Sequence, residues 1–129
     1  MVAPAQLPPE IVVSERQAIQ ELVSRLREAY PREIVAVILF GSKARGDFEC
    51  YSDTDILVLV ENETWPLRSA IWDLAAAVEL DFDDVVFNVQ VIGIVRWRRM
   101  SEERFSLCCN VERDGILLFQ RPGSEWSLL

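Results

Sequence analysis

Apolar residues follow two different rhythms along this chain, and the changes between them mark out the elements. Ala18, Ile19, Leu22, Val23, Leu26 and Tyr30 recur at three- and four-residue steps, which is one face of an amphipathic helix. Ser14-Glu15-Arg16-Gln17 fits a capping box ahead of that stripe and Pro31 stops it, so the spacing predicts a helix over roughly Glu15 to Ala29. Ile34 to Phe40 is an uncharged β-branched and aromatic run, as expected of a strand covered on both faces. Gly41-Ser42 ends it, and Ser42 to Arg45 can open a short helical turn. Ile56 to Val60 is a second run of the buried-strand type.

Pro66 sits where a first-turn proline belongs, and Leu67, Ile71, Leu74, Ala75 and Val78 carry a second helix to about Glu79. Val85 to Val95 then reads as one long third strand, with Val86, Asn88, Gln90 and Ile92 on one face. Arg96-Trp97-Arg98-Arg99 follows as a loop. Ser101 to Arg104 starts a third helix that points Phe105, Cys108, Cys109 and Val111 inward and is capped by Gly115, before a last short strand, Ile116 to Phe119. This order predicts an α/β sandwich: a mixed sheet with helices mainly on one side. Residues 1–13 are expected to be an irregular lead-in and 120–129 a tail, where Trp126, Leu128 and Leu129 would suit a partner or homodimer contact.

Composition narrows the classes. A chain of 129 residues that is half hydrophobic reads as one domain, 1–129, with a real core. No run approaches the roughly 18 to 20 apolar residues of a membrane span, and the N-terminus lacks a signal peptide's basic start and apolar centre, so the cytoplasm is the expected compartment. Three cysteines, one alone and two adjacent, make no secreted-type framework. The absence of histidine removes Ser-His and Cys-His catalysis and, with no second Cys pair, argues against a structural zinc site, which leaves carboxylates as the main candidates for metal and acid-base work. The net charge of −8 opposes binding to long DNA or RNA and favours a small triphosphate arriving with its own cation, or a basic protein surface. The Arg96 to Arg99 patch is therefore expected to be solvated or to meet a partner protein.

The chemistry concentrates between the first two strands. Backbone N–H groups at the Gly41-Ser42 turn form an anion site fit for a phosphate chain. Ten residues separate Ser42 from Asp53, and Asp53 and Asp55 share a face of the strand start, roughly 6.6 Å apart along the chain. Two carboxylates on one face repel by about 4 kcal/mol if their charges approach to 4 Å near a protein surface. A hard divalent cation offsets that, and Mg²⁺ takes one or two carboxylates plus substrate phosphates. Together these residues point to a nucleoside triphosphate. Lys43 and Arg45 are the local cations, each either touching the triphosphate or occupied elsewhere, Lys43 by solvent and Arg45 by Asp47 or Glu49.

Gly41-Ser42, ten intervening residues, Asp53-x-Asp55 and the apolar strand after it resemble the signature of the DNA polymerase β-like nucleotidyltransferases. Gly41-Ser42-Lys43-Ala44-Arg45-Gly46-Asp47 through Ser52-Asp53-Thr54-Asp55-Ile56-Leu57-Val58 resembles in particular the minimal nucleotidyltransferase group, as does Glu112 to Leu118. The resemblance implies a polymerase β-like palm and Mg²⁺-dependent transfer of a nucleoside monophosphate, AMP from ATP, to an acceptor hydroxyl. It also implies a HEPN-domain protein partner, for which such domains act as antitoxins. Asp53 and Asp55 would be the catalytic, metal-holding pair, and Gly41, Ser42, Lys43 and Arg45 would hold the nucleotide. Two-metal members of the family place a third carboxylate on the neighbouring strand, where this chain has the neutral Asn88 or Gln90. That departure opens a second reading, a degenerate domain that acts by binding its partner.

Overall fold

The computed structural model describes residues 7–49 and 51–124, and its elements run α1 (Val13–Ala29), β1 (Ile34–Phe40), α2 (Gly41–Arg45), β2 (Thr54–Val60), α3 (Trp65–Asp81), β3 (Phe87–Gly93), α4 (Ile94–Glu102), α5 (Ser106–Asp114) and β4 (Ile116–Gln120). The four strands form one mixed sheet in the order β3-β2-β1-β4. β1 is antiparallel to both β2 and β4, while β2 and β3 are parallel and joined by the crossover helix α3. All seven residues of β1 are buried, as its uninterrupted apolar run requires for a strand with neighbours on both edges and cover on both faces.

The two 17-residue helices α1 and α3 cover one face, packing Ala18, Leu22, Leu26, Ile71, Ala75 and Val78 on Val37, Leu39, Ile56, Val58 and Val60. The two nine-residue helices α4 and α5 cover part of the other, where Trp97, Cys108 and Val111 meet Ala36, Ile38, Leu57, Leu59 and Ile92. The alternation of the strands thus feeds two cores.

Several local expectations are corrected. The capping box at Ser14 does not form: α1 begins at Val13, its N-cap Val12 makes no side-chain cap bond, and Glu15 turns into the interior. The part of the lead-in that is described is packed, because Leu7 and Ile11 are buried and the Arg16 guanidinium donates to the Ile11 carbonyl at 2.9 Å and to that of Pro8. The third strand stops at Gly93 rather than Val95, and Arg96 to Arg99 is helical, with Trp97 on the buried side beside Ile94 and Met100. A turn at Glu103 to Phe105, with Arg104 at φ 57°, separates α4 from α5, and Phe105 is exposed. Gly115 does close α5, donating its N–H to the Val111 carbonyl at 2.8 Å, and a Cβ there would lie 2.5 Å from that oxygen.

β3 is an edge strand, and side chains take up four of its backbone groups. The Phe87 N–H donates to Glu79, Trp72 donates to the Val89 carbonyl, Arg68 to the Val91 carbonyl, and the Gly93 N–H donates to Glu63. This blocks strand addition at that edge. Among the described residues no helix is long and apolar enough to cross a membrane. Trp126, Leu128, Leu129 and Cys50 lie outside the described residues.

Candidate active site

β1 delivers the chain to Gly41, which takes a left-handed φ of 75° and opens α2, while Asp55, the second residue of β2, pairs in register with Phe40 just before it. The two are thereby pressed together: a Cβ on Gly41 would sit 2.2 Å from Asp55 Oδ2. Only glycine meets both the backbone angle and the contact. Ser42 follows half-buried in α2, and Asp53 lies exposed immediately before β2. Thr54 between them points to the α1 face, and strand alternation continued back by one residue would put the Asp53 carboxylate on the side of Asp55.

On the neighbouring strand Asn88 is the register partner of Asp55, and its side-chain amide donates to Asp55 Oδ1 at 2.9 Å. Gln90 pairs with Leu57, one step further from the site. Of the two residues considered for the third-carboxylate position, Asn88 is the one that meets the aspartate. Among the described residues no group of three or more His, Cys, Asp or Glu is gathered to hold a metal ion. The side chains that could hold one hard cation are Asp53 and Asp55, whose Oδ2 lies on the side that the absent Gly41 Cβ leaves open, with the Asn88 amide beside them.

Of the two local cations, Arg45 meets one of its two expected acidic partners and Lys43 does not lie where expected. Lys43 is not solvated and is turned away from the aspartates into the interior; it is 4% exposed, salt-bridged to Glu15 Oε1 at 3.1 Å, and its Nζ lies 3.9 Å from the Phe48 ring centre. Arg45 is paired with Asp47 at 3.0 Å and lies 3.8 Å from Asp114. The Asp114 carboxyl is held below its usual range chiefly by its hydrogen bond from Arg113, with the Arg45 charge adding to the effect.

Glu15 and Thr54 escaped the sequence reading. Glu15 Oε1 accepts from Thr54 Oγ1 at 2.7 Å, and both side chains are buried. The signal was present: Glu15 stands one turn ahead of Ala18, Ile19 and Leu22 on the apolar stripe, where an acid needs a buried partner.

Residues 19–106 match the profile of the nucleotidyltransferase domain family, so the chain belongs to that family and is a nucleotidyltransferase enzyme. It is 33% identical over 110 residues to the protein adenylyltransferase MntA of Aphanizomenon flos-aquae, a match covering 84% of this chain and 71% of that protein. A putative protein adenylyltransferase of Methanocaldococcus jannaschii is 47% identical over 47 residues, covering 36% of this chain and about half, 47%, of the relative. Among solved structures, a toxin-antitoxin complex with AMP-PNP contains a chain of the same fold, with a TM-score of 0.53 at 24% identity, covering 80% of this chain and 74% of that one. A putative nucleotidyltransferase from Sulfolobus solfataricus gives 0.51 at 20% identity, covering 88% and 86%. The mixed α/β architecture and the nucleotidyltransferase resemblance both stand.

Proposed function

We propose that this chain transfers AMP from ATP, with Mg²⁺, to a hydroxyl on a protein partner of the HEPN type, as the antitoxin of the pair. The observation that carries this reading is the contact between Gly41 and Asp55, which sets a phosphate-binding turn against a carboxylate strand. The protein adenylyltransferase MntA, similar over most of the chain, supports the donor and the kind of acceptor.

In this reading the N–H groups of Gly41 and Ser42 and the Ser42 hydroxyl hold the triphosphate tail. The acceptor hydroxyl gives up its proton to water as its oxygen bonds to the α-phosphorus, the bond from that phosphorus to the α–β bridging oxygen breaks, and pyrophosphate leaves with the electron pair. Asp53 and Asp55 would hold the cation, which would supply positive charge to offset that developing on the phosphoryl oxygens. Trp65, Trp72 and Leu80, all large apolar residues exposed on α3, offer a protein partner a surface. The cytoplasm, where ATP and Mg²⁺ are at hand, is the compartment that goes with this reading.

The test is incubation with Mg²⁺, labelled ATP and the paired HEPN protein, with Asp53→Ala/Asp55→Ala as control. Label should pass to the partner only with the intact aspartates, and transfer by the double variant would remove the assignment.

Asn88 favours one further reading, a domain that neutralises its partner by binding alone. Its amide already engages Asp55 where a third carboxylate would stand. In co-expression, an Asp53→Ala/Asp55→Ala variant that protects as well as wild type would support this reading; a folded, partner-bound variant that fails to protect would exclude it.

A further inference from the structure

We propose that Glu15 is a positioning residue, whose one buried carboxylate ties the phosphate-binding turn to the aspartate strand from behind the site. Glu15 reaches Lys43 Nζ through Oε1 at 3.1 Å and Oε2 at 3.2 Å, and takes the Thr54 hydroxyl on Oε1 at 2.7 Å. Lys43 is two residues from Gly41 in α2. Thr54 stands between Asp53 and Asp55 at the start of β2. Lys43 also lies over Phe48, in the segment that joins them. All parts of the Gly-Ser to Asp-x-Asp stretch that must keep their mutual distance therefore converge on a single side chain of α1.

Stability alone is a poor reason for this arrangement. Glu15 and Lys43 are each 4% exposed and Thr54 is fully buried, so two charges have been removed from water. A well-packed apolar replacement of such a pair is often neutral or stabilising, whereas removal of one partner strands the other charge. What an apolar patch could not supply is direction. Oxygen acceptors shared between an ammonium group and a hydroxyl fix α2 and the first residue of β2 relative to each other, and a nucleotide bridging Ser42 and Asp55 needs that spacing held.

The inference rests on the nucleotide reading of the site, and the experiment separates the two. Affinity for ATP in the presence of Mg²⁺ is measured by calorimetry, and the thermal midpoint by circular dichroism, for wild type, Glu15→Gln, Lys43→Met, Glu15→Gln/Lys43→Met and Thr54→Val. Each of the Glu15 and Lys43 single variants should lower the midpoint, and the neutral double variant should recover it while binding ATP about ten-fold more weakly than wild type. Thr54→Val, which deletes only a hydroxyl of similar shape, should also weaken binding, and it decides the matter if the double variant fails to fold. Double and Thr54 variants that fold and bind as tightly as wild type would reduce the cluster to a structural one. A wild type that binds no ATP would overturn the nucleotide reading and this inference with it.

Discussion

Asn88 stands directly opposite Asp55 across the parallel pairing of β2 and β3, and the 2.9 Å hydrogen bond from its amide leaves Asp55 Oδ1 engaged by a neutral donor. Replacing that donor with a carboxylate changes the sign of the contact. Asn88→Asp should lower the metal-free stability by roughly 1 to 3 kcal/mol, since a hydrogen bond is exchanged for repulsion between acids. With Mg²⁺ the same change should tighten ATP binding about ten-fold, or about 1.4 kcal/mol, by adding an oxygen ligand and a charge. Gln90→Glu, whose register partner is Leu57, should do neither. Calorimetry and thermal melts with and without Mg²⁺ read both effects, and equal responses from the two variants would show that β3 does not border the site.

Gly41 is the position least able to take a side chain. Gly41→Ala adds a methyl where Asp55 Oδ2 already lies 2.2 Å away, on a backbone held at φ 75°. The strained angle alone costs on the order of 1 to 3 kcal/mol, and the carboxylate must move as well. The variant should remain folded, with a lower urea midpoint, and lose detectable ATP binding. Unchanged affinity would mean that the turn and the aspartate do not serve one ligand.

The long elements were legible because their patterns are unambiguous. β1 and β2 are unbroken apolar runs, and α1 and α3 carry helical stripes bounded by prolines. The spacing from Ser42 to Asp53 also foretold that turn and acid would meet. α4 was missed because its buried face is only Ile94, Trp97 and Met100, thinly set among arginines and continuous with the β3 pattern. The last residue of β3, Gly93, is fitted to a tertiary neighbour, since a Cβ there would lie 3.1 Å from the Glu63 Cβ. Lys43 was misplaced because charge argues for solvent unless a buried partner is known, and that partner, Glu15, is 28 residues away in the sequence. The choice between Asn88 and Gln90 needed the register, which depends on where β3 begins.

The helical placement of the Arg-rich segment has its own test. Trp97 is 4% exposed and packs against the sheet, so Trp97→Ala should cost about 3 to 5 kcal/mol in chemical unfolding. Arg98→Ala, on the exposed side of the same helix, should change stability by less than about 0.5 kcal/mol. Equal, small effects would return the segment to a solvated loop.

Glu63 gives a prediction in pH. Burial pushes its carboxyl up, but the Gly93 N–H at 2.7 Å, with Arg68 and Arg96, outweighs burial and holds it below its ordinary value. Because the folded state binds the proton less readily than the unfolded chain, the ionised form stabilises the fold at every pH above the unfolded value of about 4.3. That contribution falls away as pH drops toward the depressed folded value, below which both states are protonated. Glu63→Gln removes the titration while keeping a similar shape. Wild type should therefore exceed the variant in urea midpoint at pH 7, with the gap unchanged down to about pH 5 and closing progressively below about pH 4.3. Asp114, also held low, titrates in both proteins and cancels from the difference. A gap that stays constant from pH 7 to pH 3 would show that the loop before α3 is held to the end of β3 by packing rather than by this charge.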